Sequence, residues 1–280
     1  MNSAVRSWES VEALIVVKAI PAISQKYGEA VCVAGIRTDR ATPEWLRLFP
    51  VDFRDRPKIE QFKKYEVVRF QAQTHGTDTR PESMRPNLDR AFEVVRTLGT
   101  DNAWTARRDW IEPLLVESMC EVDRRRRSGR TSLAVFRPLE VQDFTITEDS
   151  PTWDEAKANR IEQASLLVPD GTVKGKLVKV PYIFRYRYRC AESSCKGHHQ
   201  AIIDWEIGEA WRTWERKYGA KQVLERLRTR WLDEMCGAER DTAFFVGNAK
   251  GHENAFMVLG VFWPPKTNQL RLGLEVLDSD

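Results

Sequence analysis

One segment limits the possible folds of this chain more than any other, because it alternates two kinds of side chain. Residues 180–190 read VPYIFRYRYRC. Successive side chains of a β-strand point to opposite faces, so this segment is predicted to be a strand with an aromatic face and a cationic face. The cationic face, which we call the arginine face, consists of Arg185, Arg187 and Arg189, and the aromatic face consists of Phe184, Tyr186 and Tyr188.

The two faces suggest that the chain binds nucleic acid. Guanidinium groups can contact phosphates, and aromatic rings can stack on unpaired bases. The arginine face is the stronger indication, since like charges along one face repel one another unless an anion lies across them. Tyr186 and Tyr188 would either stack on bases or anchor the strand in the core, because both faces of a packed sheet cannot serve a ligand equally. The alternative is an ordinary half-buried strand whose arginines are solvated.

Two carboxylates on a predicted return strand, residues 200–206, could neutralise the arginine face. Asp204 and Glu206 would share one face of that strand, and a hairpin would place it beside the arginines. The same pair could instead hold a divalent ion in a metal-dependent nuclease. Gly208 stands where the strand signature of restriction-type nucleases has a lysine, so pairing with the arginines is favoured.

Metal-ligand side chains follow the alternating segment directly. They are Cys190, Cys195, His198 and His199. Zinc prefers such thiols and imidazoles, and a ligand-rich hairpin tip adds folding energy where a small β-unit has little apolar area. We therefore predict a structural zinc site. Neighbouring histidine side chains diverge, so Cys236 or His252 could complete the set, while Cys32 and Cys120 are predicted to be buried core residues.

Size and charge are typical of a globular protein with two lobes. The chain has 280 residues, of which 30% are charged, and its net charge of +3 is too small to indicate nucleic acid by itself. No apolar run approaches the roughly 18 residues that cross a bilayer, and no apolar signal segment stands near the start. We expect a cytoplasmic protein without membrane contact.

A run of arginines stands between a predicted helix and the next predicted strand. Residues 124–127 are all arginine. They could form a phosphate-binding loop, in which Arg125 and Arg126 are the predicted nucleic-acid contacts. The alternative is a solvated, flexible link between the two elements.

The N-terminal part is predicted to form a small β-barrel. Strands rich in β-branched residues are expected at 12–19, 29–37, 45–49 and 65–72. Short strands so closely spaced, with Gly35 available for a sharp bend, are typical of an OB-like barrel. Residues 74–90 are expected to form a loop because they carry two prolines and no clear period. The apolar spacing of residues 104–122 predicts one long helix.

The whole chain is predicted to be an α+β protein of two domains. Residues 1–150 would form the OB-like β-rich domain with its long helix, and residues 151–280 an α+β domain with the Cys/His cluster as a zinc knuckle. In the second domain, two helices broken at Gly219 and two strands follow the alternating segment. Their expected bounds are 207–218, 221–235, 242–246 and 255–263.

Several short segments resemble an uncharacterised family of bacterial proteins. They are Ala34-Gly35-Ile36, residues 45–51, Arg80-Pro81-Glu82-Ser83, residues 184–190, residues 203–206, residues 244–248 and residues 260–264. The N-terminal pattern, an Ala-Gly-Ile strand followed by a Trp-x-Arg-Leu strand, is also similar to dual OB-domain proteins of bacterial conflict systems. That resemblance implies nucleic-acid binding and supplies no catalytic residue.

The predicted function is therefore binding of single-stranded or distorted DNA or RNA, as an accessory factor in bacterial defence or repair, rather than catalysis. Besides the nuclease, two other functions stay open. Helices rich in tryptophan, including Trp211 and Trp214, could dock a protein partner if those rings are exposed. The mouth of the barrel could also recognise a nucleotide-like small molecule.

Overall fold

The computed structural model describes residues 7–24, 28–129, 131–158 and 177–267. The strands are β1 (Glu9–Lys18), β2 (Ala22–Ser24), β3 (Gly28–Arg37), β4 (Glu44–Val51), β5 (Glu66–Thr74), β6 (Ser83–Pro86), β7 (Glu93–Thr97), β8 (Leu115–Val116), β9 (Leu133–Phe136), β10 (Glu140–Glu148), β11 (Tyr182–Arg189), β12 (His198–Ala201), β13 (Ala243–Ala249) and β14 (His252–Phe262). The helices whose two ends are described are α1 (Asp101–Ile111), α2 (Met119–Arg127) and α3 (Trp205–Arg228). Short 3-10 turns occupy Phe53–Asp55, Lys58–Glu60 and Glu112–Leu114, and a π-helical turn, Thr229–Glu234, follows α3. The predicted α+β class is confirmed.

Five strands of the N-terminal part close into a barrel. In the order β1, β3, β4, β6, β5 each strand pairs with the next, and β5 pairs back with β1. Alternation along β1 explains why it is buried on both sides. Val11, Ala13 and Ile15 belong to the cluster inside the barrel, while Leu14 and Val16 belong to a cluster outside it. The predicted small barrel is confirmed.

The prediction of a loop over residues 74–90 is wrong in part, because the segment contains β6. This strand has only four residues and pairs in parallel with β4, so its partner is distant in sequence and no local alternation reveals it. Gly35 serves the barrel through close backbone approach. A Cβ atom there would lie 2.8 Å from the carbonyl oxygen of Leu14 on β1.

Two of the remaining strands extend the barrel sheet, since β2 pairs with β3 and β7 pairs with β5. The others form two further sheets, with the orders β14-β13-β9-β8 and β10-β11-β12. The alternating segment is β11, at the centre of the second sheet. The strands predicted at 242–246 and 255–263 are confirmed as β13 and β14. The domain division predicted at residue 150 falls between β10 and its antiparallel partner β11.

The single helix predicted over residues 104–122 is two helices in the structure. Pro113 lacks the amide N–H that a continuous helix needs, and a 3-10 turn and strand β8 separate α1 from α2. Ser118 begins α2, because its Oγ accepts a hydrogen bond of 3.0 Å from the amide of Glu121. The break predicted at Gly219 is confirmed, since this residue has φ of +80° inside α3. None of the described helices combines the length and apolar character needed to span a bilayer.

The outer wall of the barrel packs against the sheet that contains β13. The ring of Trp45 on β4 meets Phe245 on β13 edge to face, with centroids 6.3 Å apart. The guanidinium of Arg47, also on β4, donates a hydrogen bond of 3.0 Å to the carbonyl oxygen of Ser132. Ile36 on β3 belongs to the same buried cluster. This face of β3 and β4 is therefore covered.

Candidate metal centre and arginine face

Three parts of the fold bring four ligand side chains together. We call them the Cys3His group, which consists of Cys120 in the first turn of α2, Cys190 directly after β11, Cys195 in the following turn and His198 at the start of β12. The Nε2 atom of His198 lies 3.5, 3.4 and 3.5 Å from the sulfur atoms of the three cysteines, in that order. All four ligand atoms lie within 4.8 Å of one another.

Backbone amides hold the sulfur of Cys195 in place. The N–H groups of Cys190 and Gly197 donate to this Sγ atom at 3.3 and 3.4 Å. Gly197 has φ of +87°, so a glycine is favoured at this tight turn. Burial favours the neutral thiol of Cys195, but the two amide donors and the neighbouring thiols lower its pKa overall. A lowered pKa favours the thiolate, which is the form that binds metals.

The imidazole of His198 rests on the ring of Tyr188. The two rings stack with centroids 5.1 Å apart and planes inclined by 23°. Tyr188 is itself fixed, because it is fully buried and its hydroxyl group donates to Oε1 of Gln200 at 2.5 Å. Burial lowers the pKa of His198, which favours the neutral imidazole required of a metal ligand.

The positions of the four ligands fit a tetrahedral ion. Zinc lies about 2.3 Å from cysteine sulfur and about 2.0 Å from histidine nitrogen, which places sulfur and nitrogen about 3.5 Å apart in a tetrahedral site. The distances of 3.4 to 3.5 Å in the Cys3His group agree with that value. Burial, with the nearby thiols, raises the pKa of Cys120 to about 12, so three thiolates need a cation among them. The group is placed to bind a metal ion and is compatible with zinc.

Sequence reasoning identified three of these four ligands. His199 lies outside the group, since adjacent residues of a strand point to opposite faces, and its Nε2 atom is 3.2 Å from Oγ1 of Thr145. Cys120, predicted to be a core residue, belongs to the group instead. Cys236 and His252, the other ligands considered, also lie outside it.

The arginine face lies on the outer side of β11. Arg187 and Arg189 are exposed and Arg185 is half-buried. Within the described parts of the chain, none of the three forms an ion pair with a carboxylate. Arg189 donates to the carbonyl oxygen of Cys195 at 3.3 Å, which links the arginine face to the Cys3His group. Asp143 lies opposite Arg187 in the sheet, but its carboxylate is paired with Arg228 at 2.8 Å.

The aromatic face of β11 is buried. Tyr186 and Tyr188 have no exposed surface. The hydroxyl group of Tyr186 donates to the carbonyl oxygen of Trp231 at 2.7 Å, and its ring lies 4.7 Å from that of Phe244, measured between centroids. Both tyrosines therefore anchor the strand in the core, the second of the two roles considered from the sequence, and present no surface on which a base could stack.

The arginine run forms the last turns of α2 rather than a loop. Each of its guanidinium groups has a carboxylate partner. The pairs are Arg124 with Glu121 at 2.8 Å, Arg125 with Glu121 at 2.8 Å, Arg126 with Asp123 at 2.9 Å and Arg127 with Asp123 at 2.7 Å. Arg125 and Arg126, predicted to contact phosphates, are thus each paired with a carboxylate of their own helix that a second arginine shares.

Asp204 and Glu206 do not pair with the arginine face, so that expectation is corrected. The return strand ends at Ala201, and Asp204 caps α3 by accepting a hydrogen bond of 3.0 Å from the amide of Glu206. The ammonium group of Lys64 lies 2.8 Å from a carboxylate oxygen of each acidic residue. Lys64 thus stands where a nuclease would hold its divalent ion.

Burial sets the electrostatics of this triad. It disfavours the charged form of Lys64, but the carboxylates of Asp204 and Glu206 raise the pKa of the ammonium group above its ordinary value. Burial and the negative charge of Glu206 raise the pKa of Asp204 to about 6, although Lys64 acts in the opposite direction. In this triad, Lys64 and Asp204 form a buried ion pair that joins the barrel to α3. Glu206 lies at its edge and is half-exposed.

The fold and the Cys3His group define an α+β protein with a closed N-terminal barrel and a candidate metal centre in its second part. The chain belongs to the family of the domain of unknown function DUF8757, whose profile matches residues 116–277. A second profile, the domain of unknown function DUF8758, matches residues 9–113, which include the barrel. No curated protein matches the sequence.

Proposed function

We propose that the protein binds single-stranded or distorted nucleic acid on the arginine face, and that zinc held by the Cys3His group fixes the adjoining end of the β11–β12 hairpin. The observation that carries the proposal is the contrast between two sets of arginines. Each arginine of residues 124–127 forms an ion pair with a carboxylate, whereas Arg185, Arg187 and Arg189 share an outer face without an ion pair among the described residues. Such a row attracts a polyanion.

A shallow depression beside the metal centre extends this cationic surface. Its volume is about 540 Å³, and Arg187, Arg189, Lys196 and His199 contribute to its lining together with Cys195 and His198. Zinc bound with four protein ligands would have no open position, so its contribution is to hold the hairpin. The chain's own cations would then contact the phosphates.

The barrel also favours the arginine face as the binding surface, because its own expected binding face is covered. Its strand order, with β4 and β6 parallel and the other neighbours antiparallel, supports our proposal that it is an OB-like barrel, a five-stranded Greek-key type. OB folds bind oligonucleotides on the face of their second and third strands, which correspond here to β3 and β4. Trp45 and Arg47 on that face are covered by the second part of the chain. We therefore place the nucleic-acid ligand on the arginine face rather than on this face of β3 and β4.

Binding rather than catalysis is the role that we propose. Lys64 occupies the space between Asp204 and Glu206, which argues against a nuclease built on that pair. Trp211 is buried and Trp214 packs against Trp231, with centroids 6.3 Å apart, so neither is the exposed ring expected of a docking helix. Fluorescence anisotropy of a labelled single-stranded oligonucleotide over a range of salt concentrations, with wild type and arginine-face variants, tests the proposal.

A further inference from the structure

A groove lies between α3 and the segment that joins β4 to β5. Its volume is about 740 Å³, which falls within the range of about 300–1,000 Å³ typical of small-molecule sites. Trp205, Glu209, Arg212 and Arg216 contribute one wall. Their spacing of three or four residues places them on one face of the helix. The groove is separate from both the arginine face and the Cys3His group.

The charge of the groove favours an anion. Its lining contains six cationic side chains and two acidic ones, Glu209 and Glu215. Arg54 and Arg212 are paired with carboxylates at 2.8 Å. The other four form no ion pair within the described ranges, and they are Lys18, Lys58, Lys63 and Arg216, although the charge of Glu206 acts on Lys18 from nearby. An anionic ligand would supply the missing countercharge.

Lys18 is the most unusual of these cations, because it is buried at the floor of the groove. Its ammonium group donates to the carbonyl oxygen of Phe62 at 3.0 Å and lies 4.2 Å from the centroid of the Phe53 ring. The ring of Trp205 lies on another side, at 5.5 Å. Burial lowers the pKa of Lys18 to about 8. A nearby anion would stabilise its protonated form.

The groove also offers an aromatic surface. Four lining residues carry rings, and three of them, Phe53, Phe62 and Trp211, are buried. Trp205 is only partly buried, and its ring leans edge to face on Phe53 with centroids 5.4 Å apart. A partly exposed indole beside unpaired cations suits a ligand that has a planar ring and a negative charge.

We propose that this groove binds a nucleoside phosphate, with the base against Trp205 and the phosphate near Lys63 and Arg216. Two sources share this chemistry, a free mononucleotide and the 5′-phosphorylated end of a nucleic-acid strand. The site is independent of nucleic-acid binding at the arginine face, so either proposal can fail alone.

Isothermal titration calorimetry of the full chain tests the inference. We expect AMP to bind at least about 10-fold more tightly than adenosine, ribose 5-phosphate or inorganic phosphate, because base stacking and the phosphate both contribute. Arg216→Glu should weaken AMP binding at least about 10-fold. Lys221→Glu, on the same helix but outside the groove lining, is the matched control and should leave the affinity unchanged.

Three further comparisons complete the experiment. Trp205→Ala should weaken AMP about 5-fold or more. If the loss of its contact with Phe53 unfolds that variant, the exposed Arg216→Glu substitution decides alone. A 5′-phosphorylated oligonucleotide that binds more tightly than AMP identifies a strand end as the source, and the reverse order identifies the free nucleotide. Arg187→Ala should not change AMP affinity.

Three results would overturn the inference. They are equal binding of AMP and inorganic phosphate, no AMP binding at millimolar concentration, and equal effects of Arg216→Glu and Lys221→Glu.

Discussion

The sulfur of Cys120 lies 3.5 Å from Nε2 of His198, although 78 residues separate the two in the sequence. This contact joins the first turn of α2 to the end of the β11–β12 hairpin. A metal ion at that point would cross-link elements that are remote along the chain. Because all four ligands come from the protein, we expect the ion to stabilise the fold rather than to activate a substrate.

The first prediction concerns metal content. Protein purified with zinc available should contain about one zinc ion per chain by inductively coupled plasma mass spectrometry, as expected for one four-ligand site. Cys120→Ser removes a ligand and should abolish most of this content. The matched controls are Cys236→Ser and His199→Ala, which alter ligands considered from the sequence but outside the Cys3His group. Zinc loss in either control with full retention in Cys120→Ser would refute the assignment of the ligands.

Metal removal should destabilise the protein. Metal present at about 100 times its Kd stabilises the folded state by about 2.7 kcal/mol. For a chain of this size that corresponds to a fall in Tm of roughly 5–10 °C on chelation. Differential scanning calorimetry before and after treatment with a chelator measures the change, and Cys120→Ser should already melt near the lower temperature. A Tm that stays constant while the zinc is lost would show that the site does not support the fold.

Local pattern in the sequence was sufficient for most of the barrel strands and for the alternation of β11. It predicted Cys190, Cys195 and His198 because they lie within one hairpin turn. It could not reveal Cys120, since no motif connects a cysteine in α2 with that turn, and only the tertiary fold brings them together. It also placed Glu206 on a strand, because the helix that begins at Trp205 has no strong apolar period at its start.

The electrostatic partners were the least predictable part. Lys64 and Asp204 are 140 residues apart, and their contact depends on how α3 packs against the barrel. The sequence suggested Arg185 and its neighbours as partners of that carboxylate because they are close along the chain. Charge pairing between distant elements follows from the packing of those elements, which no local period encodes.

The buried ion pair should be sensitive to the loss of its cation. Lys64→Met leaves Asp204 buried without its partner and should lower the free energy of unfolding by about 3–5 kcal/mol. Adding Asp204→Asn should recover part of that loss, because the unpaired charge is removed. Lys63→Met, at the exposed neighbouring position, should change stability by no more than about 0.5 kcal/mol. Urea denaturation measures the free energy of unfolding of these three variants. Equal effects of Lys64→Met and Lys63→Met would rule out the pairing of Lys64 with Asp204.

Lys18 should make stability depend on pH in the alkaline range. Its pKa is lowered from 10.5 to about 8 in the folded protein, so between these values the unfolded chain binds more protons. The free energy of unfolding contributed by this group therefore rises as pH increases from 8 to 10.5, by about 3 kcal/mol in total. Urea denaturation of wild type and Lys18→Met at pH 7.5 and pH 10 isolates this contribution as the difference. A gap between the two proteins that does not change with pH would exclude the effect.

The most direct test of the account is the salt dependence of single-stranded oligonucleotide binding by wild type and the variant Arg185→Ala/Arg187→Ala/Arg189→Ala. Each phosphate contact contributes about 0.7 to the slope of log K against log salt concentration. We expect the triple substitution to weaken binding and to reduce the slope by about 2. Arg125→Ala, which removes a guanidinium already paired with Glu121 in α2, should leave both unchanged. An unaltered slope in the triple variant, with its zinc content and Tm intact, would contradict binding on the arginine face.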